Sequence, residues 1–328
     1  MSRVGDWTFC VAPLMDGTDR HCRFFHRLLS QHARLYSEMI VADAVVHGDR
    51  EHLLVFDRAE HKVALQVGGS DPGLLAQAAK IGADFGYDEI NLNVGCPSDR
   101  VQSGAFGACL MKTPGLVAEC WGAMQAAVDI PVTVKSRIGV DEQDPEESLF
   151  GFVETLAGAG CRVFIVHARK AWLQGLSPKE NRETPPLDYD LVRRLKAAKP
   201  ALTVVLNGGI ATIDEAASHL KNFDGVMLGR AAYGEPAILT AVDRLIFDIP
   251  APDPDITDVA RTMSGYVRQM AARGVSPHHV TRHMLGLMHG RPGARRWRQL
   301  LSARGASTPV SVIDEALAEL ETMAVLVG

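Results

Sequence analysis

The sequence predicts an α/β fold, a (β/α)8 TIM barrel with a C-terminal all-helical domain. Three observations lead to it. Short apolar, β-branched segments alternate with helical patterns, eight times over roughly 240 residues, about what an eight-fold barrel needs. Nearly every such segment stops at a polar or glycine residue, on the side where a barrel carries its reactive loops. Past residue 250 the strand pattern ends, and a link with three prolines (248–258) leads into helical periodicity. The expected division is 1–250 for the barrel and 251–328 for the helical domain. An open doubly wound sheet would want a GxGxxG turn between a strand and a helix. None stands in the expected place.

The expected strands are 9–14, 35–40, 62–67, 89–94, 131–135, 163–167, 202–207 and 225–229. Helical patterns follow at 71–81, 114–128, 145–159, 189–198 and 212–220, then at 257–272, 277–289, 293–301 and 310–326 beyond the link. The fourth strand is the most informative. Ile90, Leu92 and Val94 alternate with Asn91, Asn93 and Gly95, the two-residue period of a strand. Gly95-Cys96-Pro97 then ends it abruptly and sets Cys96 on a turn at the strand's carboxyl end. The glycine-bearing stretch 98–111, with Gly104 and Gly107, reads as a mobile cover over it.

The chain has 328 residues, 47% hydrophobic and 22% charged, an ordinary composition for a protein with ample core. No apolar run approaches a membrane span, and residues 1–10 lack the apolar stretch of a signal peptide. Six cysteines form no CxxC pair, so neither a zinc site nor a redox pair is expected. A reduced, cytoplasmic protein follows. The net charge of −5 argues against uniform nucleic-acid coating. Yet nine arginines and no acidic residue fall between Arg261 and Arg304, a window that points to a polyanion partner. Trp297 within it is expected in the core.

The strand ends gather polar residues. Asn207-Gly208-Gly209 follows strand seven and Gly229-Arg230 follows strand eight, where barrels cradle a phosphate on bare backbone N–H groups. Gln66 offers donor and acceptor to a pyrimidine-like edge. Lys135 suits the electron-rich part of a reduced flavin. This set fits FMN better than a dinucleotide, which would want an acidic ribose ligand after a Gly-rich turn.

These motifs together resemble the tRNA-dihydrouridine synthases, in particular their A-type subfamily. The resemblance rests on APLMD (12–16), LQVGG (65–69), INLNVGCPSDRVQSGAFGACLM (90–111), TVKSRIGVD (133–141), the long segment 164–189, LNGGI (206–210), MLGRAAY (227–233) and TRHMLGLMHGRPGARRW (281–297). Gly17 stands where the family usually has Trp, and Ser136 where it often has His. The resemblance implies FMN as cofactor, NADPH as reductant and uridines 20 and 20a of the tRNA D-loop as substrate. It implies no membrane and no protein partner. Cys96 would be the proton donor. FMN contacts would fall on Ala12, Pro13, Leu14, Gln66, Lys135, His167, Asn207, Gly208, Gly209, Gly229 and Arg230.

The residues agree with that chemistry. Reducing the uracil C5–C6 bond needs a hydride at C6 and a proton at C5. Reduced flavin supplies the first, and a thiol, mostly protonated at neutral pH, can supply the second. Asn93, Lys135, Arg137 and His167 stand where uracil carbonyls would be held. The target base must leave its stack to reach a barrel mouth, so an RNA grip outside the pocket is expected. Its candidates are Arg295 and Arg298 in the helical region with Arg169, Lys179 and Arg182 on the long loop. The alternatives are an FMN barrel acting on a free pyrimidine, which has no use for the arginine window, and a non-enzymatic tRNA-shaping protein, which leaves Gln66, Lys135, Asn207 and Gly229 unexplained.

Overall fold

The computed structural model describes residues 5–98, 106–302 and 308–327, with side chains through 323 in the last stretch. Gly104 of the predicted cover and Arg304 of the arginine window lie outside the described residues. The strands are β1 (Phe9–Val11), β2 (Leu35–Val41), β3 (Val63–Gly68), β4 (Glu89–Val94), β5 (Val132–Ser136), β6 (Val163–His167), β7 (Thr203–Asn207) and β8 (Gly225–Leu228). They form one parallel sheet in the order β1-β8-β7-β6-β5-β4-β3-β2. Its two ends meet through Arg34, whose N–H donates to Phe9 O and whose carbonyl accepts from Val11 N–H, both at 2.9 Å. This one bridge nearly closes the sheet into a barrel.

β1 is shorter than the sequence pattern implies. Ala12 N–H still reaches Leu228 O at 2.7 Å, but Pro13 has no N–H to continue the ladder.

Two apolar clusters follow from the pleat. The larger lies between the strands and the surrounding helices and holds Ile90, Leu92 and Val94. The smaller fills part of the barrel with Cys10, Ala12, Tyr36, Ala64, Ile165, Val205 and Met227. On the β3–β5 side the inward positions are polar instead. Register places Gln66, Asn91 and Thr133 side by side, with Asn93 beside Lys135 one level higher.

The helix Arg20–Leu29 has no counterpart in the sequence pattern. Cys22, Phe25 and Leu29 recur at helical spacing on its buried face, but Arg23, His26 and Arg27 are buried beside them and break up that apolar stripe. Those charges are met from far along the chain. Arg23 Nε pairs with Glu60 Oε2 at 2.6 Å, and Arg27 donates to the carbonyls of Ser30, Glu60 and Lys62.

Beyond the link, the helix Val312–Val327 packs on both Ile256–Ala271 and Ala294–Leu301, and Ile256–Ala271 packs on the helix Arg20–Leu29, where Tyr266 stacks on Phe24 at 4.2 Å. Trp297 is fully buried and donates from Nε1 to Met284 O at 2.8 Å. The single helix expected at 277–289 is broken into Pro277–Thr281 and a 3-10 turn, Arg282–Met284. Past that turn, the Gly286 backbone lies so close to Gly234 that a Cβ would fall 1.8 Å from the Gly234 carbonyl oxygen. Among the described residues, no helix is long and apolar enough to cross a membrane.

Candidate active site

β4 and the turn after it organise the barrel mouth. Asn93 Oδ1 accepts from the N–H groups of both Gly95 and Cys96, each at 3.0 Å. This small loop fixes the direction in which the chain leaves the strand. Cys96 is half-buried, its Sγ lies 3.5 Å from Ser98 Oγ, and its carbonyl accepts from Ala108 N–H at 2.9 Å. That last bond belongs to Phe106–Met111, the later part of the predicted cover, which is largely buried rather than loose: Ala108, Leu110 and Met111 sit in the core.

Gln66, expected to offer a donor and an acceptor to a pyrimidine-like edge, already uses one of each inside the barrel. Its Nε2 donates to Asn91 Oδ1 at 2.7 Å and its Oε1 accepts from Asn93 Nδ2 at 2.8 Å. One N–H and one lone pair remain on it.

Lys135 faces the interior beside Asn93 and has no hydrogen-bond acceptor among the described residues. Burial, and next the Arg137 guanidinium, push its amine down to about 7. His167, at the end of β6, is held neutral by burial and by the cations Arg137 and Lys135, well below the usual imidazole range. An unpartnered amine in a poorly solvated place is a receptor for negative charge.

Arg137, expected at the base, has most of its guanidinium engaged with backbone. Nε donates to Gly95 O at 3.2 Å, and Nη1 to Lys170 O at 3.2 Å and Asn181 O at 2.8 Å. It ties the Cys96 turn to the long loop after β6. Asn181, which the sequence pattern does not single out, folds that loop: fully buried, it accepts from Trp172 N–H and donates to the carbonyls of Trp172 and Leu176. Its signal in the sequence is faint, one polar residue in a polar stretch.

The phosphate-type turns lie at the ends of β7 and β8. Gly208 and Gly209 have φ of 112° and 74°, and a Cβ on Gly208 would lie 2.5 Å from His167 Cδ2. Asn207 Nδ2 clips the two strands together at Met227 O, 2.7 Å away. No turn hydrogen bond among the described residues uses the N–H of Gly208, Gly209 or Arg230. Gly229 packs against Ala12 and Leu14 of the loop after β1, where a Cβ would stand 3.5 Å from Ala12 Cβ. Pro13 and Leu14 are half-buried there. The Arg230 side chain pairs with Glu183 at 2.6 Å, another residue that the sequence alone does not mark, and also donates to Arg182 O. Arg169 donates to the carbonyls of Glu183 and Pro185. Lys179 is exposed on the same loop. The donors fit a flavin phosphate and an electron-rich ring: free backbone N–H groups at one side, an unpaired amine at the other.

The arginine window is less bare in space than in sequence. The helix Val312–Val327 sets Glu319 against Arg296 (2.5 Å), Glu321 against Arg261 (3.1 Å) and Asp314 against Arg268. Asp19 takes Arg282 at 2.7 Å. Arg295 and Arg298 are exposed and make no ion pair among the described residues.

A model of the dihydrouridine synthase (Dus) family matches residues 10–322. The chain is 55% identical over 313 residues to the tRNA-dihydrouridine(20/20a) synthase of Yersinia pestis, covering 94% of this chain and 90% of that one. It is 56% identical over 299 residues to the protein of that name from Xanthomonas campestris pv. campestris, covering 91% and 88%. The Escherichia coli K12 protein of that name is 55% identical over 312 residues, covering 94% and 90%. Among solved structures, an old yellow enzyme homologue from Zymomonas mobilis shares the fold at TM-score 0.51 and 11% identity, covering 76% of this chain and 91% of that one. Morphinone reductase does so at TM-score 0.51 and 12% identity, covering 77% and 88%.

Proposed function

From the premise that this chain belongs to the dihydrouridine synthase family, we propose that it is a cytoplasmic FMN enzyme that reduces uridines 20 and 20a of the tRNA D-loop to 5,6-dihydrouridine at the expense of NADPH. The observation that carries the reading is the placement of Cys96. It stands on a turn fixed by Asn93, one rung from the unpaired Lys135 amine, at the mouth of a barrel whose opposite rim holds Gly208, Gly209 and Arg230.

FMN, when bound, would take a hydride from NADPH and deliver it to uracil C6. The protein's own groups do the rest. The N–H groups of Gly208, Gly209 and Arg230 hold the phosphate. Lys135 sits by the ring and offsets negative charge. Burial and Arg137 lower its affinity for a proton, and a nearby anion would restore it. Gln66 and Asn93 keep one amide N–H each for carbonyl oxygens at the mouth. The Cys96 thiol gives its proton to C5 as C6 gains the hydride, so the C5–C6 double bond is lost and the S–H is restored from solvent. Arg295 and Arg298, free of ion pairs, and Arg169, Lys179 and Arg182 near the mouth supply the grip on RNA.

Cys96→Ala tests this. The purified variant should be yellow, be reduced by NADPH and be reoxidised by air as the wild type is. It should make at least about 10²-fold less dihydrouridine, the usual scale for loss of a general acid. Full activity would remove Cys96 from the acid role. Free uracil turned over as fast as tRNA would remove the RNA substrate. In cells lacking the protein, dihydrouridine should vanish from positions 20 and 20a alone.

A further inference from the structure

Below the Cys96 turn, the hydrogen bonds of the barrel interior run in a single direction. Asn93 Oδ1 is taken by two backbone N–H groups, so Asn93 Nδ2 must donate onward, to Gln66 Oε1. Gln66 Nε2 then donates to Asn91 Oδ1, and Asn91 Nδ2 to Thr133 Oγ1 at 2.7 Å. With its lone pair engaged, the Thr133 hydroxyl gives its hydrogen to Glu89 Oε1 at 2.5 Å. Burial raises the Glu89 carboxyl, yet four donors, the Arg34 guanidinium among them, converge on its two oxygens, so it ends the chain as an acceptor. Tyr36 Oη donates to the same oxygen at 3.0 Å, and Arg34 Nη1 and Trp7 Nε1 donate to the other at 3.0 and 2.8 Å.

Glu89, Asn91 and Thr133 are completely buried, and Gln66 is 1% exposed. Asn93, nearer the mouth, is 9% exposed. With its neighbours so buried, neither amide can turn over without leaving a donor facing a donor. The orientation of Gln66 and Asn93 is thus dictated at both ends: by the backbone of the Cys96 turn above, and by the donor-crowded Glu89 carboxyl below. Thr133 is the last link of that series, the one that hands it to the carboxylate.

We propose that Thr133 and Glu89, neither of which reaches the barrel mouth, are positioning residues that lock the amides of Gln66 and Asn93, and with them the Cys96 turn, in the pose that flavin and uracil require. The turn part of this stands on geometry alone. The ligand part rests on the function proposed above.

Thr133→Val keeps the shape of the side chain and removes both its donor and its acceptor. Thr133→Ser keeps both. In flavin-free protein, exchange of the Gly95 and Cys96 amide hydrogens should quicken about tenfold in Thr133→Val, roughly the weight of one hydrogen bond, and stay at the wild-type rate in Thr133→Ser. Val205, across the barrel, should not change. In flavin titrations Thr133→Val should bind FMN about tenfold more weakly with a shifted absorption band, and its kcat should fall with the KM for tRNA unchanged. Thr133→Ser should restore each property. If Thr133→Val does not fold, Thr133→Ala makes the same deletion without bulk.

Unchanged exchange at Gly95 and Cys96 overturns the lock. Faster exchange there with unaltered FMN affinity and spectrum overturns the link to the ligand. A wild-type protein that binds no flavin at all condemns the proposed function instead, and leaves exchange to judge the lock.

Discussion

The carboxylate of Asp19 accepts from His283 Nε2 at 3.0 Å, joining the loop after β1 to the helical region. Asp19 does three tasks at once. It caps the helix Arg20–Leu29 by accepting from the N–H groups of His21 and Cys22, pairs with Arg282 at 2.7 Å, and holds His283, which is completely buried and also meets Tyr233 Oη. Burial alone would raise the Asp19 carboxyl, but His283, the Cys22 N–H and Arg282 hold it well below the usual range. A depressed carboxylate stabilises the fold fully above its unfolded value, about 4, and the contribution drains away as pH falls below that. Asp19→Asn should keep the cap and lose the charge, whereas Asp19→Ala loses both. Urea unfolding at pH 7 should place Asp19→Ala lower by about 1 kcal/mol more than Asp19→Asn, the weight of a cap. Both should narrow the gap to wild type at pH 3. Equal stabilities for the two variants would refute the capping role.

Lys135 makes stability depend on pH with the opposite slope to that of an ordinary surface lysine in a salt bridge. Burial pushes it down to about 7 from a free value of 10.5. Between those limits the unfolded chain carries a proton that the folded, flavin-free protein has shed. Stability from this group therefore rises with pH across that window. Lys135→Met should flatten the rise, measured as the difference in urea midpoints between pH 6.5 and 9.5. Saturating FMN should flatten it too in the wild type, because nearby negative charge favours the protonated amine. A wild type and variant with parallel profiles would show that Lys135 is not poised as described.

The barrel was legible because its outer face is plain. Ile90, Leu92, Val94 and their equivalents alternate cleanly, and each strand lies within a residue or two of the pattern, apart from the early end of β1 at Pro13. What escaped is what depends on distant partners. The helix Arg20–Leu29 buries arginines whose acceptors, Glu60 and the carbonyls near it, lie some forty residues on, and no periodic count reveals that. The arginine window looks unopposed in sequence because its counter-ions, Asp314, Glu319 and Glu321, follow it on the helix that folds back on it. In the site, Cys96, Lys135 and the glycine turns stand out by residue type at strand ends. Glu89, Thr133 and Asn181 do not, since a buried polar residue has meaning only with its partners known.

That distinction sorts the arginines of the helix Ala294–Leu301. Arg295 and Arg298 are free of ion pairs among the described residues, whereas Arg296 is held in two hydrogen bonds by Glu319. Arg295→Ala and Arg298→Ala should each weaken tRNA binding and reduce the slope of log affinity against log salt by about 0.7 to 0.9 for every phosphate left without its cation. Arg296→Ala should leave tRNA affinity within about twofold and cost less than about 1 kcal/mol of stability, as exposed pairs do. Filter binding across a salt series reads both quantities. A larger effect on the salt slope from Arg296 than from its neighbours would reverse the assignment.

Gly208 gives the most local test of the turn after β7. Its φ of 112° lies where L side chains are strained, at a cost of about 1–3 kcal/mol. A methyl group there would also stand 2.5 Å from His167 Cδ2, and 3.1 Å from Leu187. Gly208→Ala should therefore lose more stability than strain alone requires, displace the His167 ring and weaken FMN binding by tenfold or more. The two causes separate in a double-mutant cycle. In a His167→Ala background the clash with the ring is gone, so Gly208→Ala should cost only the backbone strain and the milder contact with Leu187, and the coupling between the two sites should exceed about 0.5 kcal/mol. Additive effects would mean that the ring yields freely. The close packing of Gly208 on His167 would then have no bearing on the site.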